Sequence, residues 1–573
     1  MVLSPLPHRA LAKSIPTAIT AAPVELESQE SKLDVTVAKG LLIGRIALEH
    51  DDYAKAQNSL SEAAIRQPDY SDLAQLANFA AINNGDLETA HQMALLALQA
   101  PNNEILPLLT EIIYGIKQKE PSNNLSYAQS LPRNDIGAYL SPLILAWVKA
   151  AKGQNSALAD LSLTANPQLT PFIAQHQLAI AEFTKDRIRQ EEALKHLLPK
   201  NDADFDKLSL AMIRIVGGYY ERAGNIGQAR KLYQVSGKKN NLYDLLAEDR
   251  QRLMANGPPP PALTPESGIA AVLLESGLLI NNGRKEDRVA LSLLRMAEWL
   301  EPKNPDIVLS IGDLLNSWEL YEQALPIYQS MTKTANPQWR WQARIRYCQT
   351  LVDLKRNAEA EVELRKMSEE DRTDTLALSE LGRTLNRSEN YSAALKAYSD
   401  AIARVPTIGP DHWSLIFGKG ISLERLGRTE EAIDTLKQAI SLSPNQPDLL
   451  NYLGFTWVEN NQNLNEALKM LVRAWQIKPN DSAITDSVGW AFYKLKYYDK
   501  AIEFLEQAVE LSAYEPEIAD HLGDAYWQVG REQEARVKWK LVLSLSPPKE
   551  LLERVKVKLQ NGIPLLPRNG QAL

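Results

Sequence analysis

Residues 453–479 read LGFTWVENNQNLNEALKMLVRAWQIKP, and residues 522–547 read LGDAYWQVGREQEARVKWKLVLSLSP. Between them, residues 488–511 read VGWAFYKLKYYDKAIEFLEQAVEL. Each stretch sets down a glycine, an alanine 12 or 13 residues later, and a large apolar residue four beyond the alanine. The sets are Gly454, Ala467 and Leu471; Gly489, Ala501 and Leu505; Gly523, Ala535 and Trp539. Two earlier sets keep the register: Gly382, Ala394 and Tyr398; Gly420, Ala432 and Leu436. The five glycines stand 38, 34, 35 and 34 residues apart. Pro406, Pro444, Pro479 and Pro547 close successive units.

Self-similarity at a fixed period of this size marks a stack of repeated helical units. The residue types have physical reasons. A glycine costs about 1 kcal/mol in a helix interior, so it needs a packing return. Here the return is close approach of two helices where no side chain intervenes. The alanine serves the same purpose in the second helix. Leu385, Leu423, Trp457, Phe492 and Tyr526, three beyond each glycine, fill the space between. The proline ends the second helix and starts the next unit.

The pattern resembles the tetratricopeptide repeat, a helix–turn–helix unit of 34 residues. The resemblance implies an all-α superhelical solenoid of antiparallel helix pairs, in two halves. Upstream, Gly312, Ala324 and Tyr328 make another unit. Ala360 and Leu364 make the next, with Cys348 at the glycine position, where a small buried thiol packs and does not act as a nucleophile. Ala290, Leu294, Ala297 and Pro302 fit the second helix of an earlier unit after a long turn, Asn281 to Asp287. The N-terminal half is worn. Gly44, Ala56, Leu60 and Pro68 match one repeat, Gly85, Ala90 and Ala97 the next, and Gly217, Ala229 and Tyr233 a later one. From Asn103 to Asp206 there is amphipathic periodicity without the motif, broken by Pro121, Pro132, Pro142 and Pro167. Helix pairs are expected there.

Four consecutive prolines in Met254 to Pro265 (MANGPPPPALTP) exclude helix and give a stiff spacer. The expected division is therefore a tail or signal remnant over 1–36, a degenerate solenoid over 37–253 and a linker over 254–266. A second solenoid over 267–547, a capping helix over 548–560 and a disordered tail over 561–573 complete it. The cap is basic: residues 549–573 hold Lys549, Arg554, Lys556, Lys558 and Arg568 against Glu550 and Glu553.

Composition narrows the function. The chain has 573 residues and a formal net charge of −8. That argues against a general nucleic-acid binder, which displaces counterions with a basic surface. A single cysteine excludes an internal disulfide and a cysteine-rich zinc site. No run approaches the roughly 18 apolar residues of a spanning helix. Residues 1–36 hold no long apolar core, though Ala10 to Pro23 is weakly apolar; a terminal tail and the remnant of a signal with an upstream start both remain open. Localisation follows that choice: cytoplasmic on the sequence as given, periplasmic with an upstream signal.

Catalytic motifs are missing. The seven histidines include no pair four residues apart, and HExxH, GxxxxGK[ST] and GxSxG are absent. Gly418–Lys419–Gly420 starts like a dinucleotide fingerprint but lacks the third glycine. No catalytic residue, cofactor or metal is expected.

In tetratricopeptide arrays the first helices line a concave surface, and the resemblance carries particular positions onto it. They are Phe417 and Arg425; Asn451, Phe455 and Val458; Asp486, Trp490 and Tyr493; Asp520, Asp524 and Trp527. Aromatic groups with carboxylates suit a partner with basic or amine groups. The competing reading has Trp490 and Trp527 packing on the next unit's first helix. The acidic residues exclude the carboxylate clamp of chaperone-docking relatives. Residues 451–545 are similar to the C-terminal part of long proteobacterial tetratricopeptide proteins. Several of these are envelope proteins, and some are outer-membrane lipoprotein adaptors that present substrates to processing proteases. The expectation is a non-catalytic scaffold that binds partner proteins or peptides, with no membrane span and the oligomeric state open. The alternative is a periplasmic adaptor for a protease or an envelope assembly machine.

Overall fold

The computed structural model describes residues 35–100, 104–120, 123–154, 156–159, 161, 169–197, 208–235, 246–280, 288–334 and 336–565. Among them are 29 α-helices and no strand. Residues 1–34, the turn Asn281 to Asp287, part of the worn region and residues 566–573 lie outside the described residues. Contacts divide the chain into two units, Met1–Lys355 and Arg356–Leu573.

Among its described residues the N-terminal unit holds seventeen helices, α1 (Val35–Glu49) to α17 (Pro337–Asp353). Helices joined by short turns pair and stack on the next pair. The glycine rule holds where the sequence placed it: a Cβ on Gly44 would stand 2.3 Å from Leu60, and one on Gly312 would stand 2.6 Å from Tyr328. Cys348 lies buried in α17. The described part of the worn region contains helices without the motif, including α5 (Ile105–Lys117), α7 (Gly137–Ala151) and α8 (Thr170–Phe183). Pro142 does not break α7; it sits inside it. The helix loses one backbone bond there, but 11 of its 15 residues are buried, which outweighs that loss.

The segment 257–264, with the four prolines, forms no helix or strand. It does not separate two solenoids. After it, α13 (Pro265–Ile280) turns back onto α7 and α8, and α14 (Arg288–Leu300) packs on α3 (Ser71–Asn84) and α5. Gly268 makes this return possible, since a Cβ there would meet the Trp147 ring at 2.3 Å. Arg288 pairs with Asp51 at 3.1 Å, and Arg222 donates to the Pro260 carbonyl at 2.7 Å. The expected boundary at 254–266 is therefore corrected to Lys355–Arg356. Proline content reports local stiffness and carries no information on where a chain folds back.

The C-terminal unit runs from α18 (Asn357–Glu370) to α29 (Lys549–Asn561). Its first helices are α19 (Leu376–Arg387), α21 (Trp413–Arg425), α23 (Pro447–Glu459), α25 (Ser482–Lys494) and α27 (Pro516–Gln528). Each pairs with the following helix, ending with α28 (Glu532–Ser544). Every repeat glycine faces the residue four beyond its alanine. A Cβ on Gly489 would meet Leu505 at 2.7 Å, and one on Gly523 would meet Trp539 at 2.5 Å. Gly418 faces Tyr398 of the preceding unit at 2.2 Å, so the Gly-Lys-Gly stretch is helix packing.

Candidate functional site

The nine expected contact residues sit on four successive first helices. Phe417 is on α21, Asn451 and Phe455 on α23, Asp486, Trp490 and Tyr493 on α25, and Asp520, Asp524 and Trp527 on α27. The structure splits them into two groups.

The six on α25 and α27 are buried, with exposures of 1% for Asp520 to 9% for Trp527. Trp490 stacks between Tyr493 at 4.5 Å and His521 at 4.0 Å, and its indole N–H donates to Glu459. His521 Nδ1 lies 3.0 Å from both carboxylate oxygens of Asp486. Lys558 Nζ donates to Asp520 and Asp524 at 2.7 Å, and Arg554 donates to Asp520 at 2.8 Å. Trp527 Nε1 donates to the Ile563 carbonyl and Gln528 Nε2 to the Pro564 carbonyl, both at 2.8 Å.

The expectation of an open aromatic and acidic groove on these two helices is thus corrected. Trp490 packs on His521 of the next first helix, as the competing expectation has it, while Trp527 packs against Trp539 and the chain after α29. The carboxylates of Asp486, Asp520 and Asp524 are met by basic groups of the chain itself, His521, Arg554 and Lys558. Residues 562–565, expected in a disordered tail, lie against Trp527, because the indole and Gln528 supply donors for their carbonyls. Gly562 permits the approach: its φ is +68°, and a Cβ would meet the Trp527 ring at 2.0 Å. Left-handed backbone of this kind favours glycine.

Sequence reading missed Arg554, Lys558 and His521 as members of this cluster. The signal was the period itself. Lys558 follows Asp524 by 34 residues, Arg554 follows Asp520 by 34, and His521 follows Asp486 by 35. α29 therefore occupies the place of the first helix in one further, incomplete unit.

Burial disfavours charge on His521, but Asp486, with Asp520 and Asp524 behind it, overcomes this and raises the imidazole above its usual 6.5. Burial drives the Asp524 carboxyl up to about 6, against the opposing pull of Lys558. Both groups hold protons more tightly folded than unfolded, so both shifts have the same sign. The His521 contribution is complete below pH 6.5 and is lost as pH rises through its raised value; that of Asp524 is complete below 3.8 and lost through about 6. Thermal melts followed by tryptophan emission are expected to show stability falling as pH rises from 3.8 through about 6, and falling further above 6.5 as His521 loses its proton. His521→Gln is expected to flatten that slope, and an unchanged slope refutes the assignment.

The other group is half-buried: Phe417, Asn451 and Phe455. Phe417 meets Tyr452 edge-on at 5.3 Å and lies 6.2 Å from Trp413. Tyr452 OH donates to Glu424, which pairs with the exposed Arg425 at 3.4 Å. Asn451 Oδ1 has no hydrogen-bond partner. Such an acceptor is costly to leave unpaired. The arrangement presents half-buried aromatic surface with a flanking exposed guanidinium, while the Asn451 Oδ1 lies buried beneath it. Among the described residues, no group of His, Cys, Asp and Glu is placed to hold a metal ion, and no helix is long and apolar enough to cross a membrane.

Two tetratricopeptide-repeat family profiles match the chain, over residues 379–447 and 487–514. A TPR repeat-containing protein of Pseudomonas aeruginosa is 27% identical over 140 residues, which cover 24% of this chain and 23% of that protein. Tetratricopeptide repeat protein 1 of Schizosaccharomyces pombe is 26% identical over 170 residues, 27% of this chain and 16% of that protein. The chain thus matches less than a quarter of either relative's length. Among solved structures, the APC/C hetero-tetramer Cut9-Hcn1 aligns over 92% of this chain and 96% of its own, at 16% identity and a TM-score of 0.40. YrrB, described as a TPR protein with an unusual peptide-binding site, aligns over 30% of this chain and 86% of its own, at 20% identity and a TM-score of 0.25.

Proposed function

From the premise that this chain carries tetratricopeptide repeats, we propose that it is a non-catalytic scaffold that binds a partner protein or peptide. The contact surface is the first-helix face of α21 and α23. The observation that carries this reading is the half-buried aromatic row Trp413, Phe417, Tyr452 and Phe455, flanked by the exposed Arg425. Aromatic side chains give large contact area at low entropic cost. Arg425 favours an acidic group at the α21 end. The face on α25 and α27 is covered by the chain's own residues and lies outside this contact surface.

A photo-crosslinking amino acid at Phe455 is expected to capture a partner that the same group at Val362, which is 70% exposed, does not. Against that captured partner, Phe417→Ala combined with Phe455→Ala is expected to weaken binding at least tenfold, the size of a hot-spot loss. Equal capture at both positions, or unchanged affinity in the double variant, counts against the face.

A further inference from the structure

We propose that the face of α27 is a receptor for a basic amphipathic helix, that α29 is its resident ligand, and that a partner helix of the same chemistry displaces it. This does not depend on the aromatic row of α21 and α23; it concerns a second surface.

The resident helix shows what the receptor reads. Two cations four residues apart, Arg554 and Lys558, reach Asp520 and Asp524. One turn then leads to an extended stretch whose carbonyls take hydrogen bonds from Trp527 and Gln528. A glycine at the turn is required by the indole. A competing segment therefore needs Arg or Lys at i and i+4, a glycine four residues later, and an extended apolar continuation.

The mode of attachment makes displacement feasible. α27 buries 11 of its 13 residues. α29 buries three of 13: Leu551, Val555 and Lys558. Leu551 and Val555 are its buried apolar anchors and the rest of its hold is ionic, and a buried ion pair returns little net stability after desolvation. Elements with few buried apolar groups open before the rest of a domain. Opening α29 exposes Asp520, Asp524 and Trp527 together, a ready acidic and aromatic face. Arg536, which donates to the Leu559 carbonyl, is the remaining polar tie to α28.

The test uses the full chain. Leu551→Ala with Val555→Ala weakens the resident helix without touching the receptor. A fluorescein-labelled peptide of residues 549–565 is expected to bind this variant at least tenfold more tightly than wild type, by anisotropy. The same peptide with R554Q and K558Q is expected to lose at least tenfold. Hydrogen exchange on the wild-type chain is the second measurement. Amides of 549–561 are expected to exchange through an opening that leaves 516–528 protected. No peptide binding to a variant in which 516–528 stay protected overturns the proposal. So does loss of protection across 516–528 in the variant, or exchange of both segments only together, because α29 is then a permanent part of the fold.

Discussion

Trp527→Ala is expected to destabilise the C-terminal unit by roughly 3–5 kcal/mol, the range for removing a buried tryptophan. The ring is 9% exposed and lies 5.4 Å from Trp539, with the Arg536 guanidinium 5.2 Å from its centroid. Its loss leaves a cavity under Gly562 and strips the Ile563 carbonyl of its donor. Urea unfolding monitored by circular dichroism measures the change. Tyr514→Ala is the control: Tyr514 is 82% exposed, and a surface change of this kind is worth about 0.5 kcal/mol or less. A Trp527→Ala protein as stable as wild type would contradict the buried packing. The distinction matters for function. Because Trp490 and Trp527 stabilise the stack, partner loss on their replacement would report unfolding, whereas Phe417 and Phe455 test contact directly.

Lys558→Met is the second large effect, expected at about 3–5 kcal/mol, the cost of stranding buried charge by removing its partner. Lys558 is the only lysine among the buried polar and charged residues described. It donates to Asp520 and to both oxygens of Asp524. Without it Arg554 remains on Asp520, so Asp524 bears most of the loss. Adding Asp524→Asn is therefore expected to recover a substantial part, since the carboxylate that lacked a cation is gone. Double-mutant analysis on urea curves measures this coupling, which for contacting residues reaches about 0.5–3 kcal/mol. Additive losses would mean that Lys558 and Asp524 do not act as a pair. The peptide experiment above is separable from this one, because it leaves both carboxylates and Lys558 unaltered.

Much of this was legible beforehand. The glycine, alanine and apolar triplets named the close approaches one by one: Gly489 does meet Leu505, and Gly523 does meet Trp539. Such pairing is local, set within one helix–turn–helix, and spacing along the chain determines it. The candidate face was only half legible. Phe417, Asn451 and Phe455 stay partly open, while Trp490 and Asp524, at the same repeat position as Phe455, are buried. Repeat position says which way a side chain points, not what stands opposite. At α25 and α27 the opposing groups are His521, Arg554, Lys558 and Ile563.

Alone, the sequence determined the helical repeat, its period and the residues that let paired helices touch, because these depend on side-chain size at short separation. It also held the complementary charges, acidic on α27 and basic on α29. Only the tertiary structure decided that those charges meet each other instead of a partner. It likewise decided that the chain after the prolines returns to α7 and α3 through Gly268. Both outcomes rest on contacts between distant segments, where burial and electrostatic pairing are settled by which surfaces come together and not by the pattern within either one.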